Sequence, residues 1–266
     1  MFENSEMRSA KHIENTSQSL LPDMNTSVPI MSPNVVQYAN GVPPNKIHNM
    51  YSNDVKNDMG IAELLRERCR QICISAFFHE RDAVTSVGFT SASSGEGKSF
   101  LSLVSAETLA VDSNIPVTLI ECNWEHPYLR EHFALPPGPG LAEWLRGEAD
   151  IARIRCRVSS NLTIISAGNA RQDEIKLLQQ LCQKGYLEAL RGSDAVVIVD
   201  LPSVATTAYG PLAASIVEAL IIVVQAGVTP IPAVAETRNY LKELRVLGVI
   251  LNQFQSAIPR WLRQLL

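Results

Sequence analysis

A ten-residue segment, TSASSGEGKS, carries the strongest chemical signal in the sequence. It spans Thr90–Ser99 and follows a short apolar run that is typical of a buried strand. Its residues read A-x-x-x-x-G-K-S, which is the Walker A spacing with Ala92 in place of the first glycine. Small residues let backbone N–H groups turn inward around phosphate oxygens, and Lys98 adds a positive charge. The segment therefore predicts a loop that binds the phosphates of a nucleotide triphosphate. The alternative is a glycine-rich surface turn.

The predicted nucleotide contacts lie at the end of this loop and at the start of the helix that follows. The N-terminus of that helix adds a partial positive charge, and the Ser99 hydroxyl suits a Mg²⁺ ligand. The residues predicted to contact the nucleotide are Ser94, Gly95, Glu96, Gly97, Lys98, Ser99 and Phe100.

A second candidate site residue is Asp200, which ends the apolar run VVIV and is followed by Leu-Pro. A carboxylate at the carboxyl end of a buried parallel strand lies at the edge where such sheets bind ligands. Asp200 is therefore expected to hold Mg²⁺ through water, or to orient the attacking group, as a Walker B aspartate does. The alternative is an aspartate that only caps the next turn.

The elements that must position these residues alternate along the chain. Short β-branched runs without polar alternation indicate strands buried on both faces, and amphipathic stretches between them indicate helices. The predicted strands lie at 84–90, 117–120, 162–165, 195–199, 220–224 and 246–251, and the predicted helices at 61–73, 98–111, 140–147, 172–190 and 231–244. This order predicts an α/β fold, with a mostly parallel sheet flanked by helices.

The composition changes near residue 60. All six methionines lie at or before Met59, and Asn, Ser and Pro are scattered through this stretch without helical or strand periodicity. Residues 1–60 are predicted to be a disordered tail, and residues 61–266 a nucleotide-binding domain. The alternative for the tail is a docking peptide that uses Val35, Val36 and Tyr38.

Charge and hydropathy exclude several function classes. With 23 Lys and Arg against 27 Asp and Glu, the chain carries a net charge of −4, which argues against a nucleic-acid partner. No apolar run approaches the roughly 20 residues of a membrane-spanning helix, and no secretory signal is visible. Five cysteines without a CxxC pair favour a reduced, cytoplasmic compartment.

Over roughly residues 61–254, these motifs together resemble the bacterial tyrosine kinases of capsule and exopolysaccharide synthesis. That family belongs to the MinD/ParA-like P-loop ATPases. Ser93 occupies the position of the MinD/ParA signature lysine, which favours the kinase branch. Besides GEGKS, the matching segments are GLAEWLRGEAD, LTIISAG, AVVIVDLPSV and GVILN. The resemblance implies a P-loop NTPase fold with ATP and Mg²⁺ as cofactors, and it implies that Asn252, the last residue of GVILN, reads the adenine edge.

One motif of the resembling kinases is altered here. Their Walker A′ motif reads IDxDxRxP, and this chain has IECNWEHP, with Glu121 and Asn123 at the two aspartate positions and Glu125 at the arginine. By resemblance these positions help to hold Mg²⁺ and to activate the tyrosine hydroxyl. Glu121 keeps a carboxylate, so the predicted catalytic residues are Lys98, Asp200 and Glu121, and the predicted metal ligands are Ser99 and Asp200. No tyrosine follows Tyr240, whereas these kinases end in a tyrosine cluster.

The resemblance also implies partners. The cytoplasmic segment of a membrane polysaccharide chain-length regulator is expected to bind the protein and to recruit it to the inner face of the membrane. A homo-oligomer is expected from the ring-forming motif ExxRxxR, of which Glu63 and Arg66 match while Cys69 stands at the second arginine position.

The expected function is therefore that of an ATP-binding cytoplasmic protein of exopolysaccharide or capsule synthesis that resembles tyrosine autokinases. Two alternatives stay open at this point. One is a catalytically weakened pseudokinase, or regulatory ATPase, that controls polysaccharide assembly, and the other is a MinD-type positioning ATPase.

Overall fold

The structure is a computed structural model. It describes residues 55–78, 83–112, 114–192 and 196–253. Within these ranges seven strands form one sheet in the order β3-β4-β2-β5-β1-β6-β7. All neighbouring pairs are parallel except β3 and β4, which are antiparallel. The strands are β1 Ser86–Ser91, β2 Val117–Glu121, β3 Arg155–Arg157, β4 Leu162–Ile165, β5 Val196–Asp200, β6 Ala219–Gln225 and β7 Val246–Asn252.

Helices connect the strands and cover both faces of the sheet. They are α1 Val55–Phe77, α2 Lys98–Asp112, α3 Leu129–His132, α4 Leu141–Leu145, α5 Ile151–Ile154, α6 Glu174–Leu181, α7 Tyr186–Arg191, α8 Gly210–Ala214 and α9 Ile231–Tyr240. Parallel strands require such crossover connections, because the chain must return to the same end of the sheet before each new strand.

The sheet divides the apolar core into two layers. Successive strand residues point to opposite faces, so Val197 and Val199 pack on one face while Ile198 packs on the other. Helices α1 and α2 cover the face of Ile198, and α4, α6, α7 and α8 cover the opposite face. Burial on both faces explains why the strands lack polar alternation.

The predicted α/β fold with a mostly parallel sheet is confirmed, and each predicted strand is present. The structure also has β3, a three-residue edge strand with the polar sequence Arg-Cys-Arg, which the sequence pattern does not predict. The helix predicted over 172–190 is wrong as a single element, because α6 ends at Leu181 and α7 begins at Tyr186. Gly185, with φ of 98°, lies in the left-handed region between them.

The first helix begins earlier than the sequence indicates. It starts at Val55 rather than at residue 61, so it extends into the segment that was predicted to be disordered. Residues 1–54 lie outside the described residues, as do residues 254–266, and the predictions about the tail and about the chain end stay predictions. Among the described helices, none combines the length and hydropathy needed to cross a bilayer.

Candidate functional site

The predicted site residues meet at the carboxyl edge of the central strands. In the sheet, β5 lies between β1 and β2, and Asp200 pairs in register with Phe89 on one side and Glu121 on the other. The loop that follows β1, the end of β2 and the end of β5 therefore share one edge. This is the edge at which open parallel sheets bind ligands.

The phosphate loop has a backbone that only glycine adopts without strain at two positions. Gly95 has φ of 84° and Gly97 has φ of 92°. A Cβ atom at Gly97 would lie 2.1 Å from Nδ2 of Asn252, so a side chain there would clash. Ser94 and Gly95 are exposed at the tip of the loop. The tip of the loop is therefore open to solvent, where an anion could reach its backbone.

The start of α2 carries the charged part of the loop. Lys98 opens this fifteen-residue helix and is only 5% exposed. Ser99 is half-buried beside it, and Phe100 packs, also half-buried, against the apolar core. Helix N-termini attract anions because their first N–H groups lack intrahelical partners. The predicted loop residues 94–100 therefore form one continuous loop-to-helix segment.

Asp200 is fully buried, and its carboxylate is not satisfied within the described part of the chain. Neither Oδ1 nor Oδ2 accepts a hydrogen bond of good geometry from it. The pKa of Asp200 is raised to about 7, because burial and the carboxylate of Glu121 raise it by more than the Lys98 ammonium and the Ser99 hydroxyl lower it. A buried carboxylate without donors is costly unless a cation or another partner compensates it.

These groups fit a nucleotide triphosphate with Mg²⁺. The orphaned oxygens of Asp200 and the Ser99 hydroxyl are hard oxygen donors, which Mg²⁺ prefers in combination with phosphates and waters. The described residues contain no cluster of three His, Cys, Asp or Glu that could hold a metal by itself.

Glu121 lies beside Asp200, but both of its oxygens are engaged by backbone groups. Oε1 accepts hydrogen bonds from the N–H groups of Tyr128 and, at 2.8 Å, Leu129, and Oε2 accepts one from Ala167 at 2.9 Å. Burial raises the pKa of Glu121, and these three bonds together with Arg130 lower it. The carboxylate thereby ties the segment after β2 to the end of β4.

The rest of the A′ segment is also tied to neighbouring loops. Asn123 is buried and donates from Nδ2 to the carbonyl of His126 at 3.3 Å. Glu125 accepts a hydrogen bond from the Thr207 hydroxyl at 3.0 Å, on the segment that follows β5. An amide at 123 cannot take up a proton as an aspartate would.

The GLAEWLRGEAD segment packs against the end of β4. Glu143 accepts hydrogen bonds from the N–H of Gly140 at 2.8 Å and from that of Asn169 at 3.0 Å. A Cβ atom at Gly140 would lie 2.4 Å from the carbonyl oxygen of Ser166. This matching segment therefore positions the loop after β4, and its backbone approaches too closely for any residue but glycine at 140.

Asn252 ends β7 directly under the phosphate loop. Its Nδ2 donates to the carbonyl of Glu96 at 2.9 Å, and its Oδ1 accepts from the N–H of Gln253 at 2.9 Å. Both ends of the amide are thus used within the protein. The expected role of Asn252 as a reader of adenine stays a prediction.

Two residues that contact predicted site residues were not predicted from the sequence. The Thr229 hydroxyl donates to Oε1 of Glu96, and Thr207 contacts Glu125. Each follows the carboxyl end of a strand, β6 or β5, by several residues. Their position after strands that end at the ligand-binding edge is the signal that could have identified them.

No protein-family model matches the chain. A tyrosine-protein kinase CpsD of Streptococcus agalactiae is 26% identical over 179 residues, which cover 66% of this chain and 78% of that protein. A tyrosine-protein kinase ptk of Acinetobacter johnsonii is 27% identical over 164 residues, covering 60% of this chain and only 22% of that longer protein.

Solved structures agree with this relationship at the level of the fold. The kinase domain of the Escherichia coli tyrosine kinase ETK aligns with a TM-score of 0.61 and 22% identity, covering 66% of this chain and 70% of that one. The MinD protein of Pyrococcus horikoshii aligns with a TM-score of 0.54 and 20% identity, covering 67% and 75%. The chain is therefore similar in sequence to bacterial proteins named tyrosine-protein kinases, and it shares its fold with the ETK kinase domain and with MinD.

Proposed function

We propose that this protein binds ATP with Mg²⁺ and transfers the γ-phosphoryl group to tyrosine, as a cytoplasmic kinase of capsule or exopolysaccharide synthesis. The observation that carries the nucleotide part is the pairing of the Walker A loop with Asp200, whose buried carboxylate lacks donors and faces the charge of Lys98. The tyrosine acceptor rests on the relatives, which are named tyrosine-protein kinases, and the pathway rests on the resemblance of the motifs.

Each site residue has a defined role in this proposal. The glycine backbone of the loop and the Lys98 ammonium bind the phosphates, and the Ser99 hydroxyl and Asp200 hold the metal. Mg²⁺ bound with ATP supplies charge neutralisation at the phosphates. Glu121 is fully buried and its oxygens accept three backbone hydrogen bonds, so its role in this proposal is to hold the A′ segment beside the site. Catalysis then depends mainly on positioning and charge.

The relatives favour this function over the two alternatives. A MinD-type positioning ATPase is disfavoured by Ser93, which stands where such proteins carry their signature lysine. A regulatory ATPase without kinase activity draws support from the altered A′ segment. It predicts bound nucleotide without phosphotyrosine, which the experiment below detects.

The partners are also part of the proposal. A membrane chain-length regulator would present a cytoplasmic segment to this protein, as the resemblance implies. Self-assembly through α1 is supported by Glu63 and Arg66, which are both exposed. Cys69, which replaces the second arginine of that motif, is buried and cannot contribute to such a surface. Light scattering with and without nucleotide measures the oligomeric state directly.

The deciding experiment combines nucleotide binding with mapping of phosphotyrosine. The purified protein is incubated with labelled ATP and Mg²⁺, with and without the cytoplasmic segment of the chain-length regulator, and phosphorylated residues are identified by mass spectrometry. We expect phosphotyrosine that rises with the segment and is lost in Lys98→Ala. Bound ATP without phosphotyrosine in either case would refute the kinase function, and absence of ATP binding would refute the whole proposal.

A further inference from the structure

The phosphate loop contains a buried carboxylate where a nucleotide would bring negative charge. Glu96 lies between Gly95 and Gly97, and only 2% of it is exposed. A carboxylate close to phosphates repels them, and more strongly inside a protein than in water. A carboxylate at this position of an anion-binding loop therefore calls for a structural role that offsets its repulsion of the phosphates.

The side-chain hydrogen bonds of Glu96 fix the shape of the phosphate loop and connect it to the segment after β6. Oε2 accepts from the N–H of Ser93 at 3.0 Å, which closes the loop across its own turn. Oε1 accepts from the hydroxyl of Thr229, which in turn accepts from the N–H of Gln225 at 3.1 Å at the end of β6. The carboxylate is thereby directed into the protein and anchored to the sheet.

A second anchor reaches the loop from the neighbouring strand. Asn252, at the end of β7, donates from Nδ2 to the carbonyl of Glu96 at 2.9 Å. The side chain of Glu96 is thus held from β6 and its backbone from β7. Two adjacent strands fix one residue in the middle of the loop.

We propose that Glu96, Thr229 and Asn252 form a clamp that holds the phosphate loop in its nucleotide-receiving shape before any nucleotide binds. Glu96 and Thr229 are positioning residues in this view, since they act through the backbone of residues 93–97. A loop that is already ordered loses less conformational entropy on binding, so the clamp raises affinity without adding a contact. This proposal rests on the proposed nucleotide site and adds what preorganises it.

The test removes one hydroxyl and measures the loop without and with nucleotide. Thr229→Val keeps the size of the side chain but loses both hydrogen bonds of the hydroxyl. We expect amide hydrogen exchange in peptides covering residues 93–97 of the nucleotide-free protein to be about tenfold faster, because the loop opens more often. ATP with Mg²⁺ should bind about tenfold more weakly.

A matched control lies at the amino ends of the strands, away from the phosphate loop. The Thr85 hydroxyl donates to a glutamate, Glu218, at 2.7 Å, next to the amino end of β1. Thr85→Val removes the same kind of bond away from the site, so it should change neither the exchange of residues 93–97 nor ATP binding. Thr229→Ser keeps the hydroxyl and should restore both to wild-type values.

A second variant tests the other anchor independently. Asn252→Ala removes the bond to the Glu96 carbonyl and should also accelerate exchange across residues 93–97. If Thr229→Val and Asn252→Ala both exchange like the Thr85→Val control, the clamp is refuted. Exchange is measured without nucleotide, so this result is obtained even if ATP does not bind to the wild-type protein, which would refute the proposed function instead.

Discussion

On each of two sides of the site, a buried carboxylate holds the surrounding loops by hydrogen bonds. The two sides differ in which groups remain available for a ligand. On the side of β1, β6 and β7, Glu96 captures the N–H of Ser93 and the hydroxyl of Thr229. On the side of β2 and β4, Glu121 captures three backbone N–H groups. On the first side Lys98 and the glycine backbone remain available for phosphates. On the second side the engaged carboxylate is the one that was expected to do chemistry.

Under the proposed function, this difference means that nucleotide binding and phosphoryl transfer would depend on different parts of the molecule. Asp200 lies on β5, between the two sides, and both oxygens of its carboxylate lack a hydrogen bond of good geometry within the described residues. Binding relies on the Walker A side, whose motif GEGKS is intact. Transfer also relies on the A′ side, where Glu121 and Asn123 replace two aspartates. Variants on each side should therefore separate the two activities.

The largest expected effect concerns Asp200 and the pH dependence of stability in metal-free buffer. Its folded pKa of about 7 lies above the ordinary 3.8, so the native state holds the proton more tightly than the unfolded chain. Stability is therefore highest below about pH 4, falls as the pH rises to about 7, and is flat above, with a total loss on the order of 4 kcal/mol from this group.

Urea unfolding of the wild type and of Asp200→Asn at pH 5 and pH 8 measures this contribution. Burial also raises the pKa of Glu107 to about 7, but that group titrates in both proteins and cancels in the comparison. Asp200→Asn should show a smaller loss of stability between the two pH values. An equal loss in both proteins would mean that the carboxylate of Asp200 is compensated in the native state.

Lys98→Ala tests the Walker A side by itself. Loss of a buried ammonium that faces the phosphates should weaken ATP binding by about 100-fold or more. Lys242→Ala is a suitable control, because Lys242 is exposed just before the amino end of β7, away from the site. Isothermal titration should give wild-type affinity for this control. Normal ATP binding by Lys98→Ala would show that the phosphates bind elsewhere.

Glu121→Gln tests the A′ side as a structural element. Glutamine offers one acceptor oxygen and an NH₂ group that cannot accept, so at least one of the three backbone N–H groups loses its partner. We expect a loss of about 2 kcal/mol in the free energy of unfolding. Glu131→Gln, an exposed carboxylate of the same segment, should change it by less than about 0.5 kcal/mol. Similar losses in the free energy of unfolding for both variants would contradict the role of Glu121 in tying the segment after β2 to the end of β4.

Asn123→Asp tests whether the A′ side limits phosphoryl transfer. It restores a carboxylate at the position where the resembling kinases carry aspartate, so transfer should rise by up to about tenfold while ATP affinity changes little. Asn123→Ala, which removes the amide without adding a charge, serves as the control and should not gain activity. A rise in both variants would point to release of a constraint rather than to the carboxylate.

Much of the site could be predicted from the sequence because its signals are local. The loop Thr90–Ser99, the helix that begins at Lys98 and the strand that ends at Asp200 each occupy one short segment, and parallel strands bring their carboxyl ends to one edge. The roles of Glu121 and Glu96 could not be predicted in this way. Their partners depend on which loops the folded chain places around them.

The sequence by itself therefore determined the α/β class, the phosphate loop and the acidic strand end, since spacing and apolar periodicity are properties of neighbouring residues. Only the tertiary structure decided which carboxylates are left for a ligand. Thr229 and Asn252 lie 133 and 156 residues along the chain from Glu96, and Ala167 lies 46 residues from Glu121. Hydrogen bonds over such separations follow from the order of the strands in the sheet, which no local pattern contains.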